Sequence, residues 1–385
     1  MIETYRQLNR EVTGQRSRML AMIADLVRAE SPTEDRPAVN RCVSLLENWI
    51  KAGGGQSKRS KQKAAGDLLI GRFGPARSQI KPLMLLGHLD TVWPLGTLNK
   101  MPFRVRGGRA WGPGVLDMKA GVVMALSALQ ILQKADQLNR PVLFLLNSDE
   151  ETGSEYSRAL TESLARKCDA VFVLEPAQGI PGAYKTARKG VARYRLDVHG
   201  VAAHSGVDFA RGHSAVLELG RQIERASAFT NPRRGITVNA GVIGGGTRSN
   251  VVPAEAWAEF DVRIGRAVDA ARVDRQFRAL RPFDRKCSLE VTGGINRPPM
   301  ERTPGTVTLF RHAATIANGL GFELQEAATG GGSDGNFTSA LGIPTLDGMG
   351  AVGEGAHADN ESILLDALVP RTALLAAMIG GLSLQ

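Results

Sequence analysis

At 385 residues the chain is too long for one small domain and, at about 100–200 residues per domain, allows two or three. Hydrophobic residues make up 43% and charged residues 22%, a balance that excludes wholesale disorder and supplies a sizeable core. Lys and Arg number 48 against 38 Asp and Glu, and the formal charge of +10 raises nucleic acid, a membrane surface and small anions as partners without choosing among them.

In chain order, two helices come first: Arg16 to Glu30, stopped by Ser31-Pro32, and Pro37 to Ala52, stopped by Gly53-Gly54-Gly55. A short low-complexity stretch, KAGGGQSKRSKQK, follows, and its basic run Lys58 to Lys63 reads as a solvated loop. Short apolar runs then take over: DLLIGRF, KPLMLLGHLD, PVLFLLNSDEE and DAVFVLEP, with helical stretches near 118–135 and 153–166 between the second and the fourth. Near-continuous apolar strands alternating with helices are what a buried, mostly parallel sheet covered on both faces requires, so this half is α/β. From about residue 186 the strands alternate instead: VARYRLDVHG, a helix from Asp208 to about Phe229, GITVNAGVIGG, EAWAEFDVRI, a helix from Val268 to Leu280, and KCSLEVTGG. That β-α-β-β-α-β order is the ferredoxin-like arrangement. The rest returns to the first style, with a helix from Gly305 to Asn318, the turn GGGSDGN, the strand GIPTLDG and a last helix from Ser362. The expected organisation is an α/β catalytic domain, 1–185 and 298–385, interrupted by a smaller α+β domain, 186–297.

The residues that could carry chemistry gather where strands end. His88 and Asp90 close the strand PLMLLGHLD two residues apart, so an imidazole and a carboxylate emerge on one side, which suits a metal ligand and the group that orients it. Asp117, in WGPGVLDMKAG, stands just before a long apolar helix, where an N-cap is the plain alternative. Asp149, Glu150 and Glu151 follow the most apolar strand; they form either a solvated acidic loop or a cluster that needs cations to offset its repulsion. Glu175 ends the next strand and His357 lies in the Gly-rich loop VGEGAHADNE. His88, Asp117, Glu151, Glu175 and His357 together fit a binuclear site for zinc, with ions about 3.5–4 Å apart, and leave Glu150 to take a proton from a bound water.

These motifs resemble the binuclear zinc aminoacylase, deacetylase and carboxypeptidase family, closest to its glutamate carboxypeptidase branch. The resemblance rests on GHLDTV at 87–92, GPGVLDMKAG at 112–121, NSDEETGS at 147–154, LEP at 174–176, HSG at 204–206, GGGSDGNFTSALGIPTLDGMG and GAHADNE, in family order over most of the chain. It implies that Asp117 bridges two zinc ions through a turn with a cis Asp117-Met118 peptide. It further implies that His88 and Glu175 complete one site and Glu151 and His357 the other, and that cobalt or manganese can substitute. By the same resemblance Asp90 orients His88, and Glu150 is the general base for attack of zinc-bound hydroxide on an amide carbonyl. His204 reaches from the inserted lid or dimerisation domain into the neighbouring subunit's site and donates to the oxyanion, and Asn250 and Arg263 grip the substrate carboxylate. Gly331, Gly332 and Ser333 form either a backbone nest for an anionic group or a tight turn.

The implied reaction cleaves the amide bond that joins a C-terminal amino acid, glutamate by preference, to an acyl or peptidyl group. The alternatives are an N-acetyl amino-acid deacetylase, aminoacylase or dipeptidase of the same family, and, from another class, a non-catalytic binding protein with this fold. The partners expected are a small N-acyl amino acid or peptide with a free carboxylate and a second copy of the chain bound through the inserted domain. Nucleic acid is not expected, because the basic residues are scattered and no aromatic RNA-binding strand is present. A membrane is not expected either: no run reads as a span, and the first twenty residues lack a signal core, which points to the cytoplasm. Cys42, Cys168 and Cys287 are far apart and odd in number, which fits a reducing compartment and small buried side chains. His199 on a strand, His213 on the first helix of the inserted domain and His312 on a later helix are expected to be structural or exposed. The triplets at 53–55 and 244–246 lack a dinucleotide-site context.

Overall fold

The computed structural model describes residues 2–382, with side chains from Tyr5 onward. The chain divides into two compact units, one of Met1–Ala187, Arg302–Thr329 and Ser333–Gln385, the other of Arg188–Glu301 and Gly330–Gly332.

The first unit is built on a six-stranded sheet in the order Gln56–Ser60, Leu68–Phe73, Val142–Asn147, Leu83–His88, Ala170–Val173, Thr345–Leu346. The last four strands run parallel, and Leu68–Phe73 runs against both of its neighbours. Every residue of Leu83–His88 and of Val142–Asn147 is buried, as a sheet covered on both faces demands. Period-two alternation divides each strand between two cores. Leu83, Leu85, Phe144 and Leu146 join the large core with the helices Ile2–Arg28, Ala120–Lys134 and Leu365–Gly381, whereas Met84, Leu86, Leu143 and Leu145 pack with Leu164 and Cys168 on the other face.

Several local expectations are corrected. The first helix begins at Ile2, not Arg16, because Leu8 and Val12 extend the buried stripe of Met19 and Ile23 through Gly14, outweighing the roughly 1 kcal/mol that a mid-helix glycine costs. Half of the basic run is an edge strand, Gln56–Ser60, on which Arg59 pairs with Glu47; charged side chains are how such an edge discourages further pairing. The segment Val115–Lys134 has a mean hydropathy of 1.6 and is long and apolar enough to cross a membrane by length and composition, against the expectation of no such run. It is 89% buried within the unit, where its helical part Ala120–Lys134 is a core helix. Ser362–Leu364 is a strand, and the final helix starts at Leu365. That strand lies between Gly353–Glu354 and Arg109–Trp111 in a small antiparallel sheet, which lashes the hairpin carrying His357 to the segment leading into Asp117.

The second unit runs strand Gly190–His199, helix Ala215–Ser227, strands Thr237–Gly245 and Glu255–Ile264, helix Ala267–Arg278, strand Ser288–Arg297. Its sheet order is Thr237–Gly245, Glu255–Ile264, Gly190–His199, Ser288–Arg297, antiparallel throughout, which is the ferredoxin-like topology. Alternate residues of Glu255–Ile264 are buried, and the helices lie over that face, where Tyr194 stacks on Phe277 at 4.0 Å. The first helix of this unit is shorter than expected: Ser214 caps it by accepting from the Leu217 amide at 3.2 Å, so His213 stands before the helix, paired with Asp284 at 2.7 Å.

Helix Ala120–Lys134 comes so close to the end of strand Ala170–Val173 that a Cβ at Gly121 would fall on the Leu174 carbonyl oxygen. Gly121→Ala is therefore expected to cost about 1–3 kcal/mol or more, the range for overpacking. Urea unfolding checks this, and a midpoint equal to the parent's would contradict the close approach.

Candidate metal centre

The parallel strands Leu83–His88, Val142–Asn147 and Ala170–Val173 end along one edge of the sheet, the edge at which open α/β sheets bind ligands. His88 is the last residue of the first, the 3₁₀ turn Glu150–Thr152 follows the second, and Glu175 stands two residues past the third. Asp117 and His357 arrive by other means. Asp117 sits in an irregular turn, Val115–Lys119, with φ −111° and ψ 94° and a cis peptide to Met118; helix Ala120–Lys134 is preceded by Lys119, so Asp117 is not its N-cap. His357 occupies a left-handed conformation, φ 63°, in the hairpin loop.

These residues form two groups of donor atoms, His88–Asp117–Glu175 and Asp117–Glu151–His357, each with its atoms within 4.8 Å of one another. Asp117 belongs to both. Its Oδ1 lies 3.3 Å from His88 Nε2, and its Oδ2 lies 3.4 Å from His357 Nε2. Glu175 Oε1 is 3.6 Å from His88 Nε2, and Glu151 Oε2 is 3.3 Å from His357 Nε2. Glu150, half-buried beside Glu151, belongs to neither group.

The electrostatics follow from the crowding. Burial opposes charge on His88, but the carboxylates of Asp117, Asp90 and Glu175 hold its imidazole well above the usual range. His357 is pushed up to about 10 by Asp117 and Glu151. Burial pushes Glu151 up to about 7, against the pull of His357 and with added repulsion from Asp117. Burial also works against ionised Asp117, yet His357 and His88 keep it far below the carboxylate range. Three carboxylates against two imidazoles is an electron-rich nitrogen and oxygen donor set, of the kind that suits a divalent cation such as zinc. The His88 tautomer fits as well: Nδ1 faces the Asp90 main-chain carbonyl at 3.0 Å, which leaves the Nε2 lone pair of a neutral ring toward Asp117 and Glu175.

Asp90 thus meets His88 more closely through its carbonyl than through its carboxylate, whose Oδ1 is 3.5 Å from Nδ1. The other carboxylate oxygen accepts from Thr33 Oγ1 at 2.8 Å and from the Glu151 amide at 3.1 Å, which ties the two donor groups together. Sequence reasoning missed Thr33, and it missed Glu361, a fully buried acid four residues past His357. Glu361 accepts from the amides of Gly114, Leu116 and Asp117 at 2.7, 2.8 and 3.0 Å and from Trp93 Nε1 at 2.8 Å. Its only signal was an acid directly before the apolar strand Ser362–Leu364.

The residues expected to bind substrate fall mostly in the second unit. The exposed His204 accepts at Nδ1 from the Gly206 and Val207 amides, at 3.1 and 3.2 Å, so the neutral ring carries its proton on Nε2. Asn250 is exposed, and its carbonyl accepts from the Ser205 amide at 3.0 Å. Arg263 presents its fork to Asp261, Nε to Oδ1 at 2.7 Å and Nη2 to Oδ2 at 2.8 Å. The carbonyls of Gly331 and Gly332 accept from Arg188. Ser333 is fully buried in the first unit: its amide donates to Asn336 and its hydroxyl to Asp347, so it has the character of a structural turn more than of an anion nest.

The model of Peptidase family M20/M25/M40 matches residues 84–380. Carboxypeptidase G2 of Pseudomonas sp. (strain RS-16) is 29% identical over 373 residues, 95% of this chain and 89% of that protein. Succinyl-diaminopimelate desuccinylase of Acidovorax ebreus (strain TPSY) is 28% identical over 318 residues, 78% of this chain and 80% of its own. Among solved structures, an M20 family metallo-carboxypeptidase from Sulfolobus solfataricus superposes with a TM-score of 0.73 at 17% identity, covering 94% of this chain and 99% of that one, a likeness of fold. The chain belongs to Peptidase family M20/M25/M40, a family of metal-dependent hydrolases.

Proposed function

We propose that this protein is a two-zinc hydrolase that cleaves the amide bond between a C-terminal amino acid, glutamate by preference, and an acyl or peptidyl group. The observation that carries the reading is the pair of donor groups sharing Asp117. His88, Asp117 and Glu175 would hold one ion, and Asp117, Glu151 and His357 the other, with cobalt or manganese able to take their place. Zinc at such a pair of positions polarises the scissile carbonyl and acidifies water. Glu150, at the mouth of the turn and outside both groups, takes the proton of the attacking water and returns it to the leaving amine. His204, whose neutral ring carries its proton on Nε2, is the donor to the developing oxyanion in the neighbouring subunit's site. Asn250, Arg263 and the Gly331-Gly332 backbone bind the substrate carboxylate.

Resemblance to carboxypeptidase G2 over nearly the whole chain supports the carboxypeptidase reading; the desuccinylase likeness supports a second one, removal of a small acyl group from an amino acid. Nucleic acid and membranes are not among the partners we propose. A homodimer through the second unit is part of the proposal: strand Thr237–Gly245 is a sheet edge, and Val242 and Ile243 on it are 50% and 64% exposed. Three buried, unpaired cysteines support a cytoplasmic setting.

The test is a hydrolysis panel with zinc supplied, comparing glutamyl conjugates of aromatic acids, N-acetyl and N-succinyl amino acids, and dipeptides. Glutamyl conjugates are expected to give the highest kcat/KM, a chelator to abolish turnover, and metal analysis to return close to two ions per chain. Full activity in metal-free protein would sink the mechanism. Glu150→Gln is expected to keep the metals and lower kcat by about 10²–10⁴-fold; turnover near the parent's would remove Glu150 from the proton transfer. Because Arg263 already holds a carboxylate in a fork geometry, Arg263→Ala is expected to raise KM more than it lowers kcat. An unchanged KM would mean that Asp261 keeps the guanidinium and another group binds the substrate.

A further inference from the structure

We propose that Glu361 is the positioning residue for the shared carboxylate, holding the Asp117 turn at the angle from which one side chain serves both ions. The proposal rests on the reading above that Asp117 is common to two metal sites. The turn that carries the shared carboxylate is not helical at Asp117, which, with its extended ψ, gives up the backbone bonding a helix would supply. Three amides of that turn converge instead on one side chain from the far end of the chain. Glu361 Oε1 accepts from Leu116 and Asp117, and Oε2 accepts from Gly114. The Asp117 amide is the closest main-chain donor to the side chain being aimed, so any rotation of that peptide is opposed directly.

The same carboxylate reaches two further parts of the centre. Oε2 also accepts from Trp93 Nε1, three residues past Asp90, and Glu361 itself lies four residues past His357. One buried anion therefore joins the segment after His88, the Asp117 turn and the His357 hairpin, all within the first unit. Trp93, whose indole can only donate, and the three amides present four donors to two acceptor oxygens, a match a carboxylate satisfies and an amide does not. A carboxamide would accept at one oxygen and set an NH₂ group against the donors on the other side.

The expected consequence appears in metal binding, ahead of any effect on substrate. Glu361→Gln, purified and checked for native circular dichroism, is expected to bind both ions about 10–100-fold more weakly than the parent when Zn²⁺ is titrated against a competing chelator, the usual effect of removing a group that orients a ligand. The absorption bands of the Co²⁺-loaded variant are expected to shift, with kcat lowered and KM close to the parent's. Glu361→Asp keeps both acceptors on a side chain one methylene shorter and is expected to lie between parent and Gln variant; it decides the matter if the Gln variant does not fold. A folded variant with Zn²⁺ affinity within twofold of the parent and unshifted Co²⁺ bands would overturn the positioning role while leaving the hydrolase reading intact. A parent protein that binds no divalent ion would overturn both.

Discussion

Asp117 has to present a single carboxylate to two imidazoles, at 3.3 and 3.4 Å, and most of the first unit is arranged so that it can. The chain does not use a regular element for it. A helix would use the Asp117 amide in its own ladder, and a strand would alternate its neighbours to the opposite face. The chain takes an irregular turn there, entered through Gly114 at φ 70°, and closes it with a side chain brought from 244 residues away. The turn is stable because its amides have a partner, and that partner can be buried because it accepts four hydrogen bonds; each solves the other's desolvation problem.

Around that point the sheet contributes direction and the small antiparallel sheet contributes closure. Parallel strands carry His88, the Glu150-Glu151 turn and Glu175 to one edge with no special local chemistry, because strands of similar polarity and register end together. His357 has no such strand behind it. Pairing of Ser362 with Trp111 and of Gly353 with Ile363 fixes both arms of its hairpin against the segment that leads into Asp117. Lys119, the last residue of the turn, donates from its buried ammonium to the carbonyls of Leu26 and Ala29, at and just past the end of the first helix. The helix that follows is thereby anchored at its start, which lets a glycine-close contact with Leu174 set the depth of Glu175 relative to Asp117.

What was legible in the sequence follows the same division. Both strand patterns were visible because burial on two faces gives continuous apolar runs and burial on one face gives alternation, and neither depends on distant partners. The acids and histidines stood out because carboxylates and imidazoles at the ends of buried strands have few structural reasons to be there. Pairings between remote segments left no such trace. The edge strand Gln56–Ser60 looked like a charged loop since all its side chains are polar and what makes it a strand is backbone pairing with Leu68–Phe73, and the strands Arg104–Arg106 and Arg109–Trp111 were too short to carry a period. Glu361 looked like an ordinary acid after a histidine, because what makes it matter is four donors that are adjacent only after folding. Ser333 misled in the opposite sense: a Gly-rich stretch before a helix suggests open amides, but Asn336 reaches back to take the one at Ser333.

The formal charge of +10 pointed outward to an acidic partner, and the fold shows why a whole-chain sum is a poor guide to a site. Many basic residues stand in pairs with acids at the surface, Arg195 with Asp197 and Glu259 and Arg302 with Glu326, where screening leaves each worth little. The centre has the opposite balance, three carboxylates against two imidazoles, with His88 and Glu175 buried, Asp117 and Glu151 half-buried and only His357 exposed, so that charge there is screened less than at the surface. Local negative charge of that kind selects a small cation and repels a bare carboxylate. Arg263 engages the Asp261 carboxylate in a fork, and under the proposed function exchanging that side chain for a substrate's carboxylate would conserve both hydrogen bonds. On the proposed function, a preference for an acidic product would come from a competition between two carboxylates for one cation, a finer instrument than net charge.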